Sequence, residues 1–599
     1  MKLTGGQIIV KNLKRERVPY ILGIPGHGVL GLFDAVREAE DKGEIKYIQV
    51  KHEQAAVHIA DGYYRMTGRP LATLSSIGPG SLNTIIGLAT AYVDSSAAIS
   101  FCGDTHTNMK GVGVLQEIER YQDSNFIRTI EPVVKRCWRA ESTEQLERIM
   151  PRAFAQMKSG RPGPVAIAVP MDVQADVCCV DNLEEVPAEP PTSKAYASVE
   201  SIEKAITLMK KAKRPVLYVG GGALRSRSAE LLVKLAEKWN CAVCTTLGAK
   251  SAFPEDHELY CYHTGSKGTP IGVEMCKNAD VILALGTRFA DESTSSYRYG
   301  SAFSFPTTKL IQVDLCAEEI NKNYRADVGI VADINCVLEQ LIEYYGEATE
   351  RDEYKAEILE RRNNWKKKIE DYRKVPEGEI TISKLIGALQ NTLTDDTVIV
   401  TSSGNTQAQL FQEYCFKKPY SCVTTGGFST MGWSFPAAMG VKLACPDRPV
   451  VALMGDGDFL MTMQEMSTMV QYDIPVVIVL ADNSGWFAIK DLQMAAYGDK
   501  YAFGNDFLKD GRPYSPDFAA VAEGFGVKGY TVTDETVLEK TIQEAVASGK
   551  PALVNVKVSR TYPYSGGETY GWWDVPTPPY IDDKRSSYEK GKSEEFKSL

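Results

Sequence analysis

Short apolar runs followed by glycine or polar residues recur along this chain of 599 residues. Residues 165–169, 215–219 and 450–454 are three such runs, and helical patterns separate them from their neighbours. A brief apolar run between amphipathic helices is typical of a strand in a parallel sheet, because helices cover such a sheet on both faces. The pattern therefore predicts an α/β fold.

The chain is too long for a single hydrophobic core, and the apolar runs divide it into three α/β regions. The expected domains are residues 1–185, 199–350 and 379–560, each built on a doubly wound parallel sheet. Prolines in 185–193 predict an extended linker, a charged helical stretch over 351–374 connects the second and third regions, and 561–599 form a polar C-terminal tail.

Composition excludes several classes of function. A net charge of −10 provides no basic surface for nucleic acid. No run of about 18 apolar residues and no secretory signal are present, so neither a membrane span nor export is expected. Thirteen scattered cysteines, an odd number, predict reduced thiols. We expect a cytoplasmic enzyme acting on a small molecule.

Acidic and amide side chains follow two apolar runs of the third region. The run 450–454 is followed by Gly455, Asp456, Gly457 and Asp458, and the run 476–480 precedes Asn483. Parallel strands end at a common ligand-binding edge, and carboxylate and amide oxygens suit Mg²⁺. The glycines would let a diphosphate approach the backbone. The alternative is an ordinary strand-to-helix turn.

A glutamate follows a strand of the first region in the segment His52-Glu53-Gln54. Glu53 opens a helical pattern, where a carboxylate also favours the helix dipole, so a surface helix start is the alternative. A buried acid here could instead protonate a ring nitrogen. One common cofactor needs both this acid and a metal-held diphosphate, namely thiamine diphosphate (ThDP).

Two glycine-rich loops add candidate residues. The loop 424–432 carries Met431, a large flexible side chain that could support a bent cofactor, or that could simply enter the core. The loop 23–28 carries His27 between glycines at a strand end, which suits a proton shuttle near neutral pH better than a packed core histidine.

With these motifs in place, the whole chain resembles ThDP-dependent enzymes of the acetohydroxyacid synthase and pyruvate oxidase superfamily. The resemblance implies that Glu53 is the catalytic acid, that Asp456, Asn483 and the Gly485 carbonyl bind Mg²⁺, and that Gln116 faces the substrate. It implies cofactor contacts at the following positions: Pro25, Ser76, Asn83, Ser429, Met431, Gly455, Gly457, Asp458, Trp486 and Phe487. It also implies a homodimer or homotetramer with sites between subunits.

Within that superfamily, Gly26-His27-Gly28 and the tail segment Gly571-Trp572-Trp573 resemble cyclic 1,2-dione hydrolases. This resemblance implies hydrolytic carbon–carbon cleavage of a dione such as cyclohexane-1,2-dione, with His27 handling the water. The alternative is an acetolactate-synthase-like carboligase that decarboxylates pyruvate, a 2-keto acid, and passes the acyl unit to a second carbonyl. A nucleotide-sensing scaffold without turnover would not need Glu53 together with the metal ligands.

The middle region resembles the FAD-binding domain of the synthase branch. The positions concerned are Gly220, Gly221, Gly222, Gly286, Thr287, Arg288, Asp314 and Asp333. Glycines after a strand can cradle a dinucleotide phosphate, but this run lacks the complete dinucleotide fingerprint. Bound FAD and an empty middle domain both stay open.

Overall fold

The computed structural model describes residues 1–118, 126–180, 194–562 and 569–597. It contains three six-stranded parallel sheets, one in each predicted region, with helices against them. The prediction of three α/β domains is therefore confirmed. The proline-rich stretch 185–193, which the sequence predicts to be a linker, lies outside the described residues.

The first sheet is entirely parallel, and its inner strands are buried along almost their whole length. In spatial order its strands are Lys46–Gln49, Tyr20–Gly23, Ala72–Ser75, Ile99–Asp104, Val165–Pro170 and Arg136–Arg139. Its helices are Gly5–Arg15, Leu30–Asp41, α1 (Glu53–Thr67), Pro79–Leu82, Ile85–Val93, Phe126–Ile130, Leu146–Lys158 and Met171–Ala175. A short antiparallel pair, Lys2–Thr4 with Val177–Cys179, joins the two ends of the domain.

The middle sheet repeats this arrangement. Its strands in spatial order are Tyr260–His263, Ala242–Thr245, Pro215–Val219, Val281–Leu285, Lys309–Asp314 and Val328–Val331. Its helices are Val199–Lys211, Gly221–Arg225, Ala229–Trp239, Pro270–Lys277, Asp291–Thr294 and Ile334–Tyr345. A 21-residue helix, Asp352–Tyr372, leads to the third domain.

The third sheet carries the glycine-aspartate motif at its carboxyl edge. Its strands in spatial order are Cys422–Thr424, Val398–Thr401, Val450–Gly455, Val477–Asp482, Ala552–Lys557 and Lys528–Val532. Its helices are Ile382–Thr392, α2 (Asn405–Glu413), α3 (Ser434–Ala444), Asp456–Leu460, Met466–Gln471, α4 (Phe487–Tyr497), Phe518–Gly524 and Leu538–Ala547. A two-stranded hairpin, Leu508–Lys509 with Arg512–Pro513, follows α4.

The first and third domains are joined by close packing of α1 against α3. A Cβ built on Gly62 would lie 2.2 Å from the carbonyl oxygen of Ala437, and one built on Gly440 would lie 2.0 Å from that of Ile59. Only glycine permits such backbone contacts, so the two helices cross at the smallest separation available to them.

The tail crosses from the middle domain to α4. Gly571 lies against Gly265, and Thr577 donates to the Ala496 carbonyl at the end of α4. The tail then forms the helix Asp582–Lys592. Within the described residues, no helix is both long and apolar enough to cross a membrane.

Candidate active site

Glu53 is the first residue of α1 and is buried, with 7% of its surface exposed. Its Oε2 accepts a hydrogen bond from Asn83 Nδ2 at 2.9 Å. A Cβ built on Gly80 would lie 3.0 Å from Oε1, so the glycine leaves that oxygen uncovered. The carboxyl group is therefore held by one neighbour while its second oxygen faces a space that a larger residue would fill.

The other first-domain candidates lie around this carboxyl edge. Ser76 follows the strand Ala72–Ser75, and its hydroxyl accepts the Gly28 N–H at 3.3 Å. Pro25 and His27 are exposed on the neighbouring loop. Gln116 has a left-handed backbone (φ 68°), and a Cβ built on Gly78 would lie 2.1 Å from its carbonyl oxygen. Gln116 lines a cavity of about 230 Å³ with Ile77 and Gly78.

Asp456 and Asn483 follow adjacent strands of the third sheet, in which Gly455 pairs with Ala481. Both side chains are buried, and Asn483 Oδ1 has no hydrogen-bond partner among the described residues. Burial, and then the neighbouring charge of Asp482, raise the pKa of Asp456. A cation placed between these oxygens would relieve both the unpaired amide and the repulsion between the carboxylates.

The loop after Asn483 is held close to Asp456. The Gly485 N–H donates to Asp456 Oδ2 at 3.2 Å, and the Trp486 N–H donates to the Asn505 carbonyl at 2.7 Å. The Trp486 ring covers Gly457, where an added Cβ would lie 2.1 Å from the ring. Phe487 is buried, with the Lys490 ammonium 4.9 Å from its ring centroid.

Asp458 has a different position from Asp456. Its Oδ2 accepts the hydroxyls of Ser402 (2.7 Å) and Ser434 (2.8 Å), and its Oδ1 accepts the Gly432 N–H. Because both oxygens already have protein donors, Asp458 fixes the loop that carries Met431.

The loop 426–432 is tied to the first domain. The N–H groups of Gly426 and Gly427 both donate to Asp94, each at 2.8 Å. Ser429 is exposed in a left-handed conformation (φ 53°), and Met431 is 38% exposed. The Met431 side chain therefore does not enter the core of the isolated chain and is free to contact a ligand or a second subunit.

These residues suit ThDP and Mg²⁺. Asn483 offers an unpaired oxygen, Asp456 a carboxylate, and Gly455 an open backbone whose built Cβ has no heavy atom nearer than 4.0 Å. Among the described residues, no group of three or more His, Cys, Asp or Glu side chains could hold a metal. A cation here would accordingly need further oxygens, which a diphosphate provides.

Seven of the eight middle-domain candidates line one cavity of about 360 Å³, and they are Gly221, Gly222, Gly286, Thr287, Arg288, Asp314 and Asp333. Gly220 lies behind them, where an added Cβ would be 2.2 Å from the Gly286 carbonyl oxygen. Arg225 also lines the cavity, and burial, followed by the charge of Arg65, lowers its pKa to about 10.

Several residues near the site escape sequence analysis. Asp482 and Glu465 are buried acids near Asp456 and Glu53, and each is recognisable only from contacts between distant segments. Asn405 had a detectable signal, because it follows the strand Val398–Thr401 after a Ser-Ser-Gly segment.

Three family profiles match this chain in order. The thiamine pyrophosphate enzyme N-terminal TPP-binding domain matches residues 3–124, the central domain 202–341, and the C-terminal TPP-binding domain 402–556. A probable acetolactate synthase large subunit of Methanocaldococcus jannaschii is 34% identical, covering 93% of this chain and 92% of its own. Acetolactate synthase isozyme 3 large subunit of Escherichia coli is 32% identical, covering 93% and 95%.

The expectation of cyclic 1,2-dione hydrolysis is wrong, because these relatives are named acetolactate synthases, which favours the carboligase alternative. The sequence motifs that suggested hydrolysis lie on loop and tail segments, and Trp572 of the tail has a structural role. Trp572 packs on Gly591 and under Arg298, so it stabilises the tail. The predicted role of His27 in handling a hydrolytic water is therefore withdrawn together with the hydrolase prediction.

A third relative, the acetolactate synthase large subunit of Parasynechococcus marenigrum, is 33% identical and covers 93% of this chain and 88% of its own. Similarity of this extent spans all three sheets and the two sheet edges that carry the candidate residues. The chain therefore belongs to the thiamine pyrophosphate enzyme family, as a three-domain, ThDP-dependent enzyme.

Proposed function

We propose that the protein is a ThDP- and Mg²⁺-dependent carboligase that decarboxylates a 2-keto acid such as pyruvate and transfers the acyl unit to a second carbonyl compound. The observation that carries this proposal is similarity to acetolactate synthases along 93% of the chain. The buried acid and the unpaired amide oxygen, each at a sheet edge, support it.

Bound ThDP would supply the carbon nucleophile and the electron sink. Glu53 would hold a proton beside the cofactor ring, oriented by Asn83. Asp456, Asn483 and the Gly485 carbonyl would hold Mg²⁺, while Asp458 keeps the Met431 loop in place through Gly432. Gln116 would face the substrate from the cavity beside Gly78.

We further propose that each complete site is formed by two chains. Among the described residues, no hydrogen bond or ion pair joins Glu53 directly to Asp456, Asn483 or Gly485. Large apolar side chains are exposed in the segments flanking both edges, namely Leu30, Met109, Val112, Leu115, Phe428, Met431 and Met461. Association would bury them and bring the two halves together.

We also propose that the middle-domain cavity binds FAD as a second cofactor. Its glycines, the carboxylates Asp314 and Asp333, and the guanidinium groups of Arg225 and Arg288 form a concave surface suited to a dinucleotide. The visible spectrum of the purified protein tests this, because released flavin has a characteristic absorbance.

The direct test of function is product analysis with pyruvate, ThDP and Mg²⁺. The carboligase proposal expects release of CO₂ with formation of a condensed hydroxyketone product. Failure of pyruvate and other 2-keto acids to release CO₂ would contradict the proposal.

A further inference from the structure

A group of polar side chains, here called the polar cleft, lies where the middle domain meets the third domain, beside the cavity of about 360 Å³ that Glu292 also lines. Its middle-domain wall carries Lys267, on the turn after the strand Tyr260–His263, and Glu292, in the short helix Asp291–Thr294. The Ser266 N–H donates to the Glu292 carbonyl at 2.8 Å, and a Cβ on Gly265 would lie 2.2 Å from that oxygen. Backbone contact therefore fixes the two turns together.

The opposite wall consists of α2 and α4. Asn405 begins α2, and its Nδ2 donates to Asp491 Oδ2 on α4 at 2.5 Å. Lys267 Nζ reaches Asn405 Oδ1 at 3.4 Å, so the lysine extends from one domain to the other. Thr406, the next residue of α2, is the nearest neighbour of a Cβ built on Gly455, at 4.0 Å. The cleft is thus close to Asp456.

The polar groups of this cleft are poorly matched to one another. Among the described residues, Lys267 has no carboxylate within 4 Å, and the Glu292 side chain makes no hydrogen bond or ion pair. Within the same described ranges, Asp491 Oδ1 is buried without a partner, and so are the hydroxyls of Thr264 and Ser266 beside Lys267. Unpaired buried polar groups are costly, so their concentration beside a cofactor edge indicates a ligand that pairs them.

The backbone next to Glu292 is also strained. Ser295, Ser296 and Tyr297 have consecutive left-handed conformations, with φ values of 53°, 52° and 60°. The tail holds this turn, since the Asp574 N–H donates to Ser296 Oγ at 3.1 Å. Backbone strain of this kind persists where the surrounding structure enforces it, commonly at ligand sites.

The charges of the cleft limit the ligand to one class. Burial raises the pKa of Glu292 to about 7 and that of Asp491 to about 6, and it lowers the pKa of Lys267. A second 2-keto acid would bring its carboxylate towards two acids and one lysine. An unsubstituted aldehyde would leave the Glu292 carboxyl group and Asp491 Oδ1 without partners. Hydroxyl groups can donate to the carboxyl groups and accept from the ammonium.

We propose that this cleft binds the acceptor of acyl transfer, and that the acceptor is a neutral carbonyl compound bearing hydroxyl groups. The inference rests on the proposed carboligase function. The donor loses CO₂ as its acyl–carboxyl bond breaks. A new carbon–carbon bond forms at the acceptor carbonyl carbon, and the acceptor oxygen takes a proton. The step needs no oxidant.

The test compares three acceptors with pyruvate as donor in the holoenzyme: glyceraldehyde, propanal and 2-ketobutyrate. Glyceraldehyde should have the highest kcat/KM, exceeding propanal on the order of tenfold or more, because its hydroxyls pair groups that propanal leaves unpaired. Glu292→Met should remove most of this preference, whereas Glu292→Gln, which keeps hydrogen-bonding atoms, should retain part of it. Glu343→Met, on the exposed face of a middle-domain helix, is the matched control.

Two outcomes would overturn the assignment: equal kcat/KM for glyceraldehyde and propanal, or a preference for 2-ketobutyrate. Saturation-transfer NMR with erythritol, a polyol that cannot react, separates this proposal from the carboligase proposal. In one outcome, pyruvate releases no CO₂ while erythritol binds the wild type and not Glu292→Met. That result would support the polyol site and contradict the proposed decarboxylation of the donor. Absence of erythritol binding to the wild type would refute the cleft as a polyol site.

Discussion

The carboxylate of Glu465 accepts the backbone N–H of Lys51 at 3.0 Å, two residues before Glu53. Glu465 belongs to the third domain and is fully buried, and its Oε2 also accepts the Thr468 hydroxyl at 2.7 Å. The turn that starts α1 is therefore held by a residue 414 positions later in the chain. This contact makes Glu465 a positioning residue for Glu53, the predicted acid.

Glu465→Gln should change the pH dependence of stability. Burial raises the pKa of Glu465 from 4.5 to about 7, so between these values the native state binds more protons than the unfolded chain. The contribution of Glu465 to the free energy of unfolding is fully present below pH 4.5 and is lost as the pH rises through 7. The variant should therefore gain stability relative to wild type over this range, by up to about 3 kcal/mol. Urea unfolding at several pH values measures the difference in free energy of unfolding between variant and wild type. A difference that does not change with pH would contradict the raised pKa of Glu465. Exposed Glu360→Gln is the control.

Glu53→Gln should abolish acyl transfer while ThDP still binds, because an amide fills the same space but cannot supply the proton. We expect a loss of at least about 10²-fold in kcat. Steady-state kinetics with calorimetry of ThDP binding separates the two effects. Activity close to wild type would exclude Glu53 as the acid.

Asp456→Ala should weaken cofactor binding, because it removes an anionic oxygen from the predicted Mg²⁺ site. Activity should recover partly at high Mg²⁺ and ThDP concentrations. Titration of ThDP at fixed Mg²⁺ measures the change, with exposed Asp447→Ala as the control. Unchanged ThDP affinity would place the metal site elsewhere.

Mixed dimers test whether two chains form each site. Chains with Glu53→Gln and chains with Asp456→Ala should each be inactive at low ThDP, but co-expressed heterodimers should recover activity, since one of their two sites has both groups intact. Heterodimers purified with two different tags provide the sample. If they stay inactive, each site is built within one chain.

Most of the fold could be predicted because buried parallel strands have a strong local signature. The run 215–219 matches an observed strand, and the runs 165–169, 450–454 and 476–480 differ from the observed strands by one or two residues at their ends. The predicted positions at strand ends also lie at sheet edges, since parallel topology itself brings them there.

The cleft residues could not be predicted in the same way. Lys267, Glu292 and Asp491 belong to different turns and domains. In the sequence, each of them looks like an ordinary solvent-exposed charge. Their significance depends on which neighbours lack partners, and that depends on how two domains pack. The dione expectation failed for a related reason, because the short loop and tail segments that suggested it vary more readily than strands.

The glycine contacts between α1 and α3 connect the acid to the Met431 loop. α1 begins with Glu53, and α3 begins three residues after Met431, so the helices next to two predicted site residues extend from one crossing point. Backbone touches backbone there, and no side chain can rearrange to absorb a displacement. The crossing therefore fixes the orientation of both helices relative to each other. A methyl group added at Gly62 would push the two helices apart and so displace both predicted site segments, although Gly62 itself is not one of the predicted site residues.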